Sequence, residues 1–239
     1  MASSEIQSDV YEFSNVFDFL NTTNFSDFEV VCGDFTFKVH RIIICQRCKY
    51  FKNLNGVNWM ETKDAKATFT DEEPAIIARL LIFLYRGTYP EQDIARSGIK
   101  QFETIDDPYR FPGKLELLHA KMYALASMLD LRELFDAARI PFKRTYQHDA
   151  YIIRDEWADL VQYVYTSTSD STADSHLRRI MLKGMQLAIC YDTTRVRPDN
   201  LRRAIHAAPD FGFDIAMTCI GGESYTCNNC GRDQKLLFD

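Results

Sequence analysis

The sequence holds seven cysteines, and four of them stand as two Cys-x-x-Cys pairs. Cys45-Gln-Arg-Cys48 sets two thiols close to Arg47 and Lys49, cations that would lower a thiol pKa and permit redox chemistry. Inside a helix the same two residues serve as small apolar side chains, and packing is the reading adopted here. Cys227-Asn-Asn-Cys230-Gly is the better metal candidate, because a knuckle of this kind aims backbone N–H groups at the thiolates. Tetrahedral zinc needs four ligands. The set Cys219, Cys227 and Cys230 would have to be completed by His206, a distant residue or a second chain. The alternative is a polar tail with reduced thiols and no bound metal, and no other cofactor is expected.

No other chemistry-bearing pattern accompanies the cysteines. The phosphate-cradling G-x-x-x-x-G-K, the dinucleotide G-x-G-x-x-G, the G-x-S-x-G nucleophile turn and H-E-x-x-H are absent. No catalytic residue is assigned, and a non-enzyme is expected. Of the five histidines, His119, His148, His176 and His206 stand outside any motif. From Arg178 to Arg203 there are seven bases (Arg178, Arg179, Lys183, Arg195, Arg197, Arg202, Arg203) against Asp192 and Asp199, a stretch that could touch phosphates. An acidic total and the lack of a DNA-reading motif favour a solvated helix face, so nucleic acid is not an expected partner.

Composition bounds the rest. In 239 residues, 28 Lys+Arg against 34 Asp+Glu give a net charge of −6, with 46% hydrophobic and 26% charged residues. This is near the globular average and excludes collagen-like, low-complexity and wholly disordered chains. The odd cysteine count argues against a paired disulfide framework. Met1 to Leu20 lacks a basic start and a continuous apolar core, and Arg79 interrupts the longest apolar run, Ile76 to Tyr85. A protein of the cytoplasm or nucleus, not held in a membrane, is expected. Charge is segregated: residues 1–37 hold seven acids and no base, and Lys38 to Lys52 hold five bases and no acid, which invites contact between the two segments.

These residues need elements to hold them. Phe28 to Cys32 and Phe35 to Val39 alternate as two strands around Gly33-Asp34, a hairpin. Ile43, Ile44, Arg47, Cys48 and Phe51 recur at helical spacing between Ile42 and Asn53, and Lys66 to Thr70 reads as a strand. Pro74 opens a helix that carries Ile76, Ile77, Leu80, Leu81 and Leu84 and ends at Gly87. Residues 88–113, with three prolines and no period, read as a long loop. Leu115 to Leu129 and Leu131 to Phe142 predict two helices with a break near Asp130. Further helices are expected over Trp157–Tyr165, Leu177–Tyr191 and Leu201–Ala207, with a polar connector at 166–174.

Taken in order, three segments resemble the BTB/POZ domain: Phe25-Ser-Asp27-Phe-Glu-Val30 followed by His40-Arg41…Ile44…Phe51; Ile82-Phe-Leu-Tyr85-Arg-Gly87-Thr-Tyr89; and Tyr123 to Leu131. Cys48 stands where the family usually has Ser, and Met128-Leu129 where Lys-Tyr is usual. His40, Phe51, Tyr85, Gly87 and Tyr89 form the fold signature. The resemblance implies an α+β fold, a small sheet capped by a helical cluster, over residues 24–147, with a loop insertion at 88–113. A segment at 1–23 holding a dimerisation helix would precede it, and an all-α extension at 148–239 would follow. The match looks most like the short fungal members.

The resemblance also implies a function. Such a module is a non-catalytic adaptor that homodimerises, and many members bring a partner or substrate protein to a cullin scaffold of a ubiquitin ligase. The alternative is a nuclear, transcription-associated assembly factor using the basic C-terminal helices. Phe13, Val16, Phe17 and Leu20 correspond to the family's dimer seam, although the same face could staple onto the chain's own core. Asp27 and Arg41 correspond to a charged pocket at the dimer groove, or to a structural salt bridge. Leu84, Tyr85 and Tyr89 correspond to the cullin face, which the 88–113 insertion could obstruct.

Overall fold

A computed structural model of the chain describes residues 13–56, 65–94, 102, 110–148, 154–168, 175–191, 196–220, 225–226 and 233–234. Its contacts divide into two compact units, Met1–Pro112 with Leu129–Leu131, and Gly113–Met128 with Arg132–Asp239.

In the first unit a 3-10 helix, Phe13–Phe19, precedes a three-stranded sheet built from β1 (Phe28–Cys32), β2 (Phe35–Val39) and β3 (Lys66–Phe69), in the order β2-β1-β3. β1 and β2 pair antiparallel, Val30 opposite Phe37, through a turn in which Gly33 takes φ +55°. That left-handed value costs glycine no Cβ clash. β3 lies parallel to β1, Val30 opposite Ala67, so the connection between them must cross over, and α1 (Arg41–Arg47) and α2 (Lys49–Gly56) lie within it. Phe28, Val30, Cys32, Phe37, Val39, Ala67 and Phe69 alternate onto the buried face, as the period of two requires.

The helical periodicity from Ile42 to Asn53 is interrupted at Cys48, which is extended (φ −129°, ψ 117°). Its N–H closes α1 on the Ile44 carbonyl at 2.9 Å, and its own carbonyl opens α2 by accepting from Lys52 at 3.1 Å. Ten consecutive residues of α3 (Pro74–Arg86), Ala75 to Leu84, are buried, so this helix is enclosed all round instead of presenting the stripe that its sequence suggests. Gly87 ends it at φ +78°, with its N–H on the Phe83 carbonyl at 2.7 Å.

Three described residues of the expected 88–113 loop belong to the core. Ile94 and Phe102 are completely buried, Phe111 nearly so, and the Phe102 ring lies 6.1 Å from Phe37. Arg79, 1% exposed, fastens the start of this segment: its Nε donates to the Pro90 carbonyl at 3.1 Å and its Nη2 to that of Gln92 at 3.0 Å. A guanidinium can be buried where carbonyls receive its donors.

The second unit is helical, with α4 (Leu115–Met128), α5 (Arg132–His148), α6 (Trp157–Ser167), α7 (Ser175–Tyr191), α8 (Pro198–Ala207) and α9 (Pro209–Ile220). A two-residue ladder, β4 (Tyr225–Thr226) with β5 (Asp233–Gln234), follows. The periodicity did not separate α9 from the tail. Its core is aromatic: Trp157 and Tyr165 lie edge-on to Phe211 at 5.6 and 5.4 Å, and Phe142 stacks on Tyr146 at 5.7 Å. Trp157 Nε1 donates to the Tyr146 hydroxyl at 3.2 Å, so the buried indole and phenol satisfy each other. Among the described residues no helix is long and apolar enough to cross a membrane.

Candidate interaction surface

His40 sits between β2 and α1, 8% exposed, and all its polar atoms on this side are engaged. Its Nε2 lies 3.0 Å from the Asn24 carbonyl, which can only accept, so Nε2 carries the proton. Nδ1 then accepts from the Tyr85 hydroxyl at 2.7 Å, and that oxygen accepts the His40 backbone N–H at 3.0 Å. Burial pushes the Tyr85 phenol well above its ordinary range and the nearby Asp27 adds to this, while the His40 N–H works in the other direction. The histidine and tyrosine of the fold signature thus tie α3 to the entrance of α1. Phe51, the third signature position, is wholly buried and edge-on to Phe69 at 6.3 Å.

The structure brings Asp27 and Arg41 together, but through the backbone. Asp27 Oδ1 accepts the Arg41 N–H at 2.8 Å, placing a carboxylate at the N-terminus of α1, where it is favoured. This replaces the expected side-chain pair in a charged pocket: the Arg41 guanidinium lies instead over the Phe28 ring, 5.3 Å from its centroid, and its Nε is shielded without a hydrogen-bond partner. The segregated charges do meet within the hairpin, as Glu29 and Lys38 form a cross-strand ion pair.

Around this contact lie the two large apolar side chains most exposed among the described residues, Phe25 at 85% and Ile42 at 79%. Phe25 holds φ +58°, a left-handed conformation in which a bulky residue is strained. The Asn24–His40 hydrogen bond and the edge contact of Phe25 with Phe19 at 5.9 Å hold it there. Sequence reasoning missed both residues. A Phe two positions before Asp27 and an Ile directly after Arg41 were the available signal.

The four residues expected at a dimer seam divide in two. The 3-1-3 spacing was read on an α-helix, whereas Phe13–Phe19 is a 3-10 helix with a three-residue turn, which sets Val16 on a different face from Phe17. Phe17 (6% exposed) and Leu20 (0%) are buried in this chain's own unit, with the Arg86 guanidinium 3.6 Å from the Phe17 ring centroid. Val16 is exposed, and the Phe13 side chain lies outside the described residues.

Of the three residues expected at a cullin face, Tyr85 and Tyr89 reach solvent and Leu84 does not. Leu84 is completely buried and touches no solvent, because α3 is enclosed on every side. The Tyr85 hydroxyl is committed to His40. Tyr89 is half-buried, its phenol pushed far up by burial and by Glu91, against the opposing charge of Arg79. Arg47, read from the sequence as a charge and a position on the helical face, donates to the Phe83 and Leu84 carbonyls at 3.2 and 3.0 Å and caps α3.

Cys48 is 1% exposed, and burial raises its thiol pKa, the opposite of what a reactive thiol needs; Cys45 donates to the Phe51 carbonyl at 3.4 Å. Both are free thiols. Cys227, Cys230 and the Cys219 side chain lie outside the described residues, as does Arg195. Arg178 is buried and donates from Nη2 to the Tyr165 and Thr168 carbonyls at 2.8 and 2.6 Å, capping α6, so it is withdrawn from the basic stretch. Arg197, Arg202 and Arg203 stand within 3.6, 3.2 and 3.7 Å of Asp155, Asp199 and Asp159.

A comparison with the curated proteins finds no match. The family model described as BTB/POZ domain matches residues 16–145, a span that includes the hairpin, the His40–Tyr85 tie and the helices to α5. More than half of the sequence lies within that match, and the chain belongs to the BTB/POZ domain family, whose module mediates protein–protein interaction.

Proposed function

We propose that the chain is a non-catalytic, homodimerising adaptor of the cytoplasm or nucleus, kin to the short fungal members of its family, that presents a partner protein to a cullin-based ubiquitin ligase. The observation that carries self-association is Phe25, held outward in a left-handed backbone at 85% exposure beside the exposed Ile42. A strained and solvated phenylalanine costs stability in the single chain, and a second surface that covers it returns that cost. The seam therefore centres on Phe25, Ile42 and Val16, around the Asp27–Arg41 contact. The cullin step is supported by family membership. The basic-helix alternative loses support, because Arg178 is buried and committed to the Tyr165 and Thr168 carbonyls.

Sedimentation of the full chain at micromolar concentration tests the seam. Ile42→Asp and Phe25→Asn are expected to convert dimer to monomer, and Phe25→Asn to do so with an unchanged circular dichroism spectrum, since Asn tolerates the left-handed region. A monomeric wild-type chain, or a dimer indifferent to both changes, overturns the reading. Binding of a purified cullin N-terminal domain to the wild-type chain tests the second step, and its absence removes that step alone.

A further inference from the structure

Outside the family match, α8 and α9 enclose an open groove of about 490 Å³ lined by Pro198, Leu201, Arg202, Ile205, His206 and Pro209. Its walls follow from helical spacing. Asn200 and Ala204 point into the unit, and Asn200 Nδ2 donates to the Arg154 carbonyl at 3.0 Å, which fixes the rotation of α8. Leu201 and Ile205, one turn apart, are thereby turned to the groove, with Arg202 and His206 in the adjacent row. Gly212 permits the close approach of the two helices: a Cβ there would meet Ile205 Cγ2 at 2.9 Å. Past the groove the outer face of α9 shows Phe213 at 65% and Met217 at 49% exposure, again one turn apart.

The chemistry of the lining is one-sided. Four of the six residues are apolar, the two polar ones offer N–H donors, and no carboxylate is among them. Arg202 faces Asp199 at 3.2 Å, but both side chains are about four-fifths exposed, and such a pair is worth only ~0–1 kcal/mol. It exchanges readily for a carboxylate brought into the groove. A channel along a helix of ten residues, ~15 Å long, matches the i, i+3, i+4, i+7 anchors of about three turns of another helix.

We propose that the α8–α9 groove captures an amphipathic helix of a partner protein, whose Leu, Ile, Phe or Met residues fill the apolar walls and whose Asp or Glu residues pair with Arg202 and His206. The proposal rests on the adaptor reading and assigns the partner-holding end of it.

Selection of 14-residue helical peptides from a display library against the full chain, followed by titration of the enriched synthetic peptides, tests it. Enrichment of acidic peptides with apolar anchors at helical spacing is expected. Ile205→Asp and Arg202→Glu, both at exposed positions, are each expected to weaken those peptides at least about tenfold with an unchanged circular dichroism spectrum. Replacing Glu by Lys in the peptide is expected to restore binding to the Arg202→Glu chain. Absence of enrichment, enrichment of basic peptides, or affinity unmoved by both substitutions overturns the proposal. So does a wild-type dimer that Ile205→Asp dissociates, because the groove would then hold a second copy. Phe25→Asn is the separating control: it dissociates the seam proposed above and leaves peptide affinity intact, so each reading fails on its own measurement.

Discussion

Removing one oxygen atom, by Tyr85→Phe, should cost this protein more than a typical surface change. The hydroxyl donates to His40 Nδ1 and accepts the His40 N–H, at 2.7 and 3.0 Å, and His40 is 8% exposed. Phenylalanine fills the same space and leaves both histidine groups without a partner, each orphaned group costing ~1–3 kcal/mol. Tyr85 itself is only half-buried, so water reaches part of the site, and the low end of the range applies, ~1–1.5 kcal/mol for each group and about 2–3 kcal/mol in total. For a chain of this length that is a fall of roughly 5–10 °C in melting temperature. Urea and thermal unfolding of the wild type, Tyr85→Phe, His40→Ala and the double variant give the coupling, expected at about 1–2 kcal/mol. Amide exchange at His40 supplies a local readout, needed because a chain with two compact units need not unfold in one step. A loss below about 0.5 kcal/mol, additive single variants and unchanged exchange would refute the reasoning. If cullin binding fell with stability intact, Tyr85 would be pointing at a partner and not at His40.

Other outcomes are as definite. Leu84→Glu should prevent folding of the first unit instead of selectively removing a partner, because no solvent reaches that side chain; a well-folded Leu84→Glu protein with lost cullin binding would restore the original assignment. Arg178→Met strands the Tyr165 and Thr168 carbonyls and should destabilise by about 2–4 kcal/mol, read by urea unfolding. Burial pushes the Cys32 thiol up to about 11, with Glu72 and Glu73 adding to it. The fold favours the neutral thiol, so its contribution is complete below the ordinary thiol pKa near 9 and is lost as pH climbs toward about 11. Peptide mapping after alkylation at pH 8 should show Cys45 modified well before Cys32 and Cys48, and equal rates would contradict the burial of the latter two.

Local pattern alone placed the hairpin, the strand at Lys66, the helix ending at Gly87, the break near Asp130 and the helices to Ala207, because periods of two and 3.6 and the left-handed preference of glycine are properties of neighbouring residues. The segments that resemble the BTB/POZ domain were legible for the same reason. Burial on every side of α3 was not, since a stripe in sequence cannot report what packs on the opposite face, and so Leu84 was read as a contact residue. Ile94 and Phe102 sit among prolines with no period, and only long-range contact with the sheet makes them core. Val16, Phe17 and Leu20 were sorted by tertiary contact, with Phe17 and Leu20 buried in the unit and Val16 left outside. Short-range spacing determined what the elements are, and the resemblance of three motif segments pointed to the family. Tertiary structure decided which side chains are spent on the chain's own interior, such as Tyr85, Arg178 and Phe17, and which, such as Phe25, Ile42 and Ile205, are left facing outward, because burial is a property of what comes together in space.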